Sequence, residues 1–274
     1  MNNIQKYLDA PGINFSTLKY VHTSPKHYRW AVDVGRPDTT ALMKFRAIHT
    51  AILEPDVFDD RYVVYPGKTR RGKEWDAFCI AHPGCEIIKA DERDKILKAA
   101  EAVMADEVAS PLFDEGEGER ALTWFDPRTG LQCKARVDWW SPKVLLDVKS
   151  GPVNDRIFGM LAAKLLYYVQ IAWYSDGLMA VTDFRPPAKF VVVEDDDPFD
   201  VFVVPVDDDQ LQLGRDTYAG WLDTVLECQQ TGKWPGRYTK EQPLLLPKHV
   251  YYDDDIEDGT SQVVVDQGDD QDVT

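Results

Sequence analysis

The run Val144-Leu145-Leu146-Asp147-Val148-Lys149 sets two opposite charges inside an otherwise aliphatic stretch. Such a run reads as a buried strand, and period-2 alternation puts Asp147 and Lys149 on one face. A fold that buries this strand must find partners for both charges. Residues Leu131 to Trp140 alternate as a preceding strand, and Ser141-Pro142-Lys143 joins the two as a hairpin. The hairpin returns Asp138 towards Asp147. Carboxylates brought that close repel unless a cation lies between them, and hard oxygen donors suit Mg²⁺ or Mn²⁺. The plainer alternative is a strand-end ion pair, with Asp138 capping a turn.

Upstream, a helix is expected from Ser16 as N-cap through Leu18 and Val21, broken at Ser24-Pro25 and followed by a second helical turn through Tyr28 and Trp30. From Thr39 a further helix carries Leu42, Phe45, Ile48, His49 and Ile52 at helical spacing, and Pro55 ends it. His49 lies on the edge of that apolar stripe, where a packed core histidine is the simplest reading. After a short strand from Tyr62 to Tyr65, Gly67-Lys68-Thr69-Arg70-Arg71-Gly72-Lys73-Glu74 nearly spells a phosphate-binding loop. Glu74 stands where that loop needs a hydroxyl, so a nucleotide cofactor is not expected. Lys68, Arg70, Arg71 and Lys73 are instead candidates for contacting a DNA backbone. Ala90 to Val108 reads as an amphipathic helix, and Ala121 to Phe125 as the first strand of the main sheet. Asp155 to Tyr174 is expected as one helix with Ile157, Leu161, Leu165 and Val169 as its packing stripe. Tyr167, Gln170 and Tyr174 then share a face at i, i+3 and i+7. Lys189 to Val193 and Val201 to Val206 are strand-like, and Leu211 to Cys228 is an amphipathic helix.

Asp138, then Asp147-Val148-Lys149, then a helix with Gln170 and Tyr174 resembles the acidic and lysine motifs of PD-(D/E)XK nucleases in their RecB-like branch. Gly118-Glu119, Trp124-Phe125-Asp126, Thr129-Gly130, Lys134 to Trp139, Leu146 to Lys149 and Tyr167 to Gln170 resemble successive blocks of the RecE (exonuclease VIII) nuclease domain. Ser24 to Tyr28 and Ile48 to Pro55 extend the likeness upstream, so it covers about residues 12 to 180. The resemblance implies an α/β fold with a central mixed sheet flanked by the Thr39 and Asp155 helices. It implies metal ligation by His49, Asp138, Asp147 and the Val148 carbonyl, with Mg²⁺ as cofactor and Mn²⁺ as its substitute. Lys149 would orient or deprotonate water, Glu119 would border the metal site, with Glu117 one alternation step away, and Gln170, Tyr167 and Tyr174 would approach substrate. It also implies double-stranded DNA ends as substrate, digestion from the 5′ end, a RecT-like annealing partner, a homo-oligomer and a role in phage or prophage recombination. Two alternatives stand beside it: a structure-specific or defence-type endonuclease, and a catalytically silent DNA-binding module.

A net charge of −16 argues against a DNA partner until its distribution is considered. Residues 1–193 hold 26 acidic and 26 basic residues, whereas residues 194–274 hold 21 acidic and 5 basic. The nuclease-like part is thus neutral. Three parts are expected: a helical N-terminal part of the nuclease domain at 1–110, a catalytic core at 111–250 and a disordered acidic tail at 251–274. The four cysteines show neither metal-ligand spacing nor the density of a disulfide scaffold, and no apolar run is long enough for a membrane span. A soluble protein in the cytoplasm of a bacterial host is the corresponding expectation.

Overall fold

The computed structural model describes residues 7–35 and 38–246. Its elements are α1 (Pro25–Val34), α2 (Thr40–Leu53), β1 (Tyr62–Val64), α3 (Lys73–Ala81), β2 (Glu86–Ile88), α4 (Ala90–Ala105), β3 (Glu117–Phe125), β4 (Gln132–Ser141), β5 (Val144–Ser150), α5 (Asp155–Lys164), α6 (Tyr167–Thr182), β6 (Ala188–Val193), β7 (Val201–Val206) and α7 (Asp208–Thr231), with short helical turns between. All lie in the unit Met1–Arg237, and residues 238–246 of the following unit contain no helix or strand. The acidic tail expected at 251–274 falls outside the described residues.

Five strands form the main sheet in the order β3-β4-β5-β6-β7. β5 and β6 run parallel, as the crossover through α5 and α6 requires, and the other pairs are antiparallel. Apolar clusters cover both faces. On one side α6 and α7 bury Trp173, Leu178, Trp221 and Leu222 against Leu145 and Phe190; on the other, α2 and α4 bury Ile48, Ile52, Ile96 and Val103 against Leu146, Val148 and Val191. Covered on both faces, β5 is buried from Val144 to Lys149. The short β1 and β2 form a separate parallel pair.

The expectations at the N-terminus and in the crossover need correction. The helical turn Phe15–Leu18 is capped by Asn14, whose side-chain oxygen accepts from Thr17 N, and not by Ser16. The helix expected over Asp155 to Tyr174 is two helices, because Leu166 adopts the left-handed conformation at φ 63° and the axis bends by 72°. Phe158, not Ile157, therefore packs into the core from α5. Only as a bent pair do these helices reach the length and apolarity of a membrane span; no single described helix does. β3 begins at Glu117, four residues earlier than expected.

α6 and α7 are in close contact at Gly214, where an added Cβ would lie 2.5 Å from the Tyr168 carbonyl oxygen and 2.7 Å from Ala172 Cβ. Alanine gains about 1 kcal/mol in helix propensity, but overpacking a close helix contact costs about 1–3 kcal/mol. Gly214→Ala should therefore lower the melting temperature by several degrees in a thermal unfolding scan. An unchanged or higher value would show that the two helices can separate at no cost.

Candidate active site

The site arises where the β4-β5 hairpin forks. The two strands pair only through Ser141↔Val144, Trp140↔Leu145 and Trp139↔Leu146. One step further on, the ladder ends: Val148 N donates to Asp138 Oδ2 at 2.8 Å in place of a main-chain acceptor. The opposite edge of β4 is also disturbed at this level. Its ladder with β3 skips the pair Glu119 and Asp138, and Glu119 sits at φ 54°, a conformation that costs a non-glycine residue energy. Gly118 beside it is required by space, since a Cβ there would meet the Leu53 carbonyl oxygen at 2.9 Å. These departures gather Glu119, Asp138, Asp147 and Lys149 at one wall of a cavity of about 540 Å³, with His49 delivered from α2.

Asp147 is fully buried and Lys149 is 3% exposed. Lys149 Nζ donates to Asp147 Oδ1 at 2.8 Å and to Gln170 Oε1 at 3.2 Å, and stands 4.6 Å from the centre of the Tyr167 ring. Gln170 Nε2 donates in turn to Tyr174 Oη at 2.7 Å. Tyr174 is largely buried, lines the same cavity and fixes Gln170 through its hydroxyl. Asp147 Oδ2 lies 2.7 Å from Lys149 Nζ, yet no donor is aligned on it. Burial pushes the Asp147 carboxyl up to about 7, with the Lys149 ammonium opposing the rise and the Asp138 charge adding to it. Asp138 is raised for the same first reason, desolvation. Burial would lower Lys149, but Asp147 and Asp138 outweigh it and hold the amine charged. Desolvation pushes Glu119 up to about 8, against the nearby Arg136.

His49 reports most directly on what the site is built to hold. One ring nitrogen, Nε2, is 2.9 Å from the Val148 carbonyl oxygen, and Nδ1 is 3.5 Å from Asp138 Oδ2. Burial, then the Lys149 ammonium, pushes the imidazole down to about 3, so it is neutral and carries one N–H. With Asp138 ionised, either tautomer leaves a nitrogen lone pair facing an oxygen lone pair. A cation accepted by both atoms removes that conflict. Among the described residues, no three His, Cys, Asp or Glu side chains are gathered tightly enough to chelate a metal as they stand, and the Lys149 ammonium lies against Asp147 instead. The donor set of one imidazole, two carboxylates and one carbonyl, with Asp147 Oδ2 in ion-pair contact with Lys149 but accepting no aligned hydrogen bond, nevertheless fits a divalent cation.

The four basic residues expected to contact DNA are not brought to this cavity. Lys68, Arg71 and Lys73 are exposed elsewhere, and the half-buried Arg70 has its guanidinium paired with Glu92 and donating to the Ile87 carbonyl. The arginines lining the cavity are Arg46, Arg61 and Arg136. Spacing could have disclosed two of them, since Arg46 precedes His49 by one helical turn and Arg136 precedes Asp138 by one strand repeat. Arg61 and Tyr7, which also line it, carry no such signal. Tyr7 is placed by a latch in which Lys134 Nζ donates to the carbonyls of Tyr7, Leu8 and Ala10.

A mixed sheet that forks between two carboxylate-bearing strands, with a lysine two residues beyond the second, defines a core of the PD-(D/E)XK class. The chain belongs to the family of the PDDEXK-like domain of unknown function, whose model matches residues 14–242. No curated protein matches the chain in sequence. Among solved structures it is similar to a Eubacterium rectale protein provisionally named an exonuclease. That likeness has 12% identity and a TM-score of 0.63, covering 93% of this chain and 98% of that one. A Laribacter hongkongensis alkaline exonuclease shows a partial likeness, with 14% identity and a TM-score of 0.27 over 70% of this chain and 97% of that one.

Proposed function

We propose that this chain is a divalent-metal-dependent exonuclease that hydrolyses phosphodiester bonds at double-stranded DNA ends, of the RecE type. The observation that carries the proposal is the fork itself, with Asp138 and Asp147 at its branches, Lys149 on the face of Asp147, and His49 in contact with both Asp138 and the Val148 carbonyl. Membership of a PDDEXK-like family and a fold shared with a protein provisionally named an exonuclease support it.

In this reading residues 1–110 supply His49, and 111–250 supply the catalytic strands. His49, Asp138, Asp147 and the Val148 carbonyl would hold Mg²⁺ or Mn²⁺. Such a cation supplies Lewis acidity and neutralises phosphate charge. Lys149, held charged, acts as a donor that orients the attacking water and offsets negative charge on the phosphoryl oxygens. Gln170 fixes the ammonium from behind and is itself fixed by Tyr174. Digestion from the 5′ end, a RecT-like annealing partner, a homo-oligomeric assembly and a role in phage or prophage recombination complete the proposal.

With Mg²⁺ or Mn²⁺, the protein should release nucleotides from blunt linear duplex and leave covalently closed circular duplex intact, and EDTA should stop the release. Conversion of closed circles to linear or nicked forms would replace the exonuclease reading with an endonuclease. Failure to cut linear duplex under any divalent cation would overturn the nuclease reading as a whole.

A further inference from the structure

We propose that Arg136 is a substrate-positioning residue whose unpaired guanidinium edge takes a phosphate oxygen of the DNA strand in the catalytic cavity. The inference rests on the nuclease reading above and adds to it a residue that the acidic and lysine motifs do not contain.

Arg136 lies on β4 two residues before Asp138, so alternation turns both side chains to the same face, and both line the cavity that holds His49, Asp147 and Lys149. Its Nε stands 2.6 Å from Glu119 Oε2 as an ion pair without hydrogen-bond alignment. The far edge is different. Arg136 Nη1 is buried and meets no acceptor. A buried N–H without an acceptor is destabilising, and because the Arg136 side chain as a whole is 29% exposed and lines the cavity, a ligand there can supply the missing acceptor.

The other arginines of the cavity are spent. Arg46 donates to both carboxylate oxygens of Asp38 and both of Glu86, and Arg61 donates to both oxygens of Glu54. Arg136 alone among these three keeps a buried nitrogen with no partner while its other side is anchored. Its anchor is Glu119, the strand residue at positive φ, so a strained backbone position is used to aim this guanidinium. A planar donor fork held on one side and open on the other matches a phosphodiester, whose two free oxygens accept from guanidinium nitrogens. Lys149 serves the reacting phosphate from the β5 side, and Arg136 approaches from the β4 side. A merely structural role, neutralising Glu119, would need only the Nε edge.

The test uses the full chain in EDTA, where binding is read without cleavage, and a fluorescent duplex series in which single linkages near one end are replaced by neutral methylphosphonates. For the wild type, neutralising one or two linkages should weaken binding about tenfold. Arg136→Ala should bind all members of the series alike at those linkages, and Arg136→Lys should recover part of the discrimination because it restores charge without the fork. The same methylphosphonate profile in wild type and Arg136→Lys, or in wild type and a folded Arg136→Ala, would overturn the proposal. So would the absence of any sensitive linkage in the wild type. Because this readout needs no hydrolysis, its failure is separate from a failure to cut linear DNA, which would count against the nuclease reading.

Discussion

Asp147→Asn and Lys149→Ala should each reduce hydrolysis of linear duplex by about a thousandfold or more, because each removes a charge placed where the phosphate's negative charge must be met. The two should differ in stability. Asparagine keeps an oxygen for the Lys149 ammonium, which now donates to Asp147 Oδ1, and removes the repulsion between Asp147 and Asp138. Alanine at 149 leaves two buried carboxylates without their ammonium, and breaking a buried pair in this way costs about 3–5 kcal/mol. In EDTA, therefore, Lys149→Ala should melt well below wild type and Asp147→Asn should not. The pH dependence has a definite sign. Asp147 has a folded pKa raised from 3.8 to about 7, so its contribution is present at low pH and is lost as pH rises through about 7. Metal-free wild type should lose ground to Asp147→Asn between about pH 4 and 7, with no further change above that. Residual activity above about a tenth of wild type in Asp147→Asn would remove it from the catalytic set, and a melting point far below wild type at pH 8 would make its carboxylate a structural group.

What the sequence disclosed about this site follows the range of the forces involved. The β5 strand was legible because its aliphatic run is continuous, and Asp147 and Lys149 stand out against it at a spacing of two. The hairpin was legible because Ser141-Pro142-Lys143 has turn chemistry, and the structure pairs Ser141 with Val144 across it. The start of α2 at Thr39 was legible from the apolar spacing that follows it, and the Thr39 hydroxyl oxygen accepts from Leu42 N within one turn as its cap. The break at Leu166 was not, since leucine carries no preference for a left-handed backbone and only packing imposes it. Nor was the fate of Arg70, whose partner Glu92 lies 22 residues away, beyond α3 and β2. The latch of Lys134 on the carbonyls of Tyr7, Leu8 and Ala10 spans more than 120 residues and has no local signature. The positive φ of Glu119 belongs to the same class. It follows from a sheet that must fork next to it, and neither propensity nor periodicity marks the residue that absorbs the distortion.

His49→Ala should weaken Mn²⁺ binding at least tenfold, roughly the lower range for disturbing a metal's immediate surroundings, and should do so with only a modest fall in melting temperature. Packing and ligation make opposite forecasts here. The ring is buried, with its centre 4.1 Å from that of Phe45, so a purely structural histidine would leave a cavity on truncation and cost about 2–4 kcal/mol, with metal affinity unchanged. The contacts of the ring argue for the other outcome. Its two nitrogens face Val148 O and Asp138 Oδ2, but a neutral imidazole has a proton for only one of them. Truncation in the metal-free protein therefore removes a lone-pair conflict along with the packing, and the two effects offset. Calorimetric titration with Mn²⁺ beside thermal melts in EDTA separates the cases. A melting temperature lowered by ten degrees or so with wild-type Mn²⁺ affinity would show His49 to be a core residue. A nearly unchanged melting temperature with lost Mn²⁺ affinity would show that α2 carries the imidazole to the fork for its lone pair.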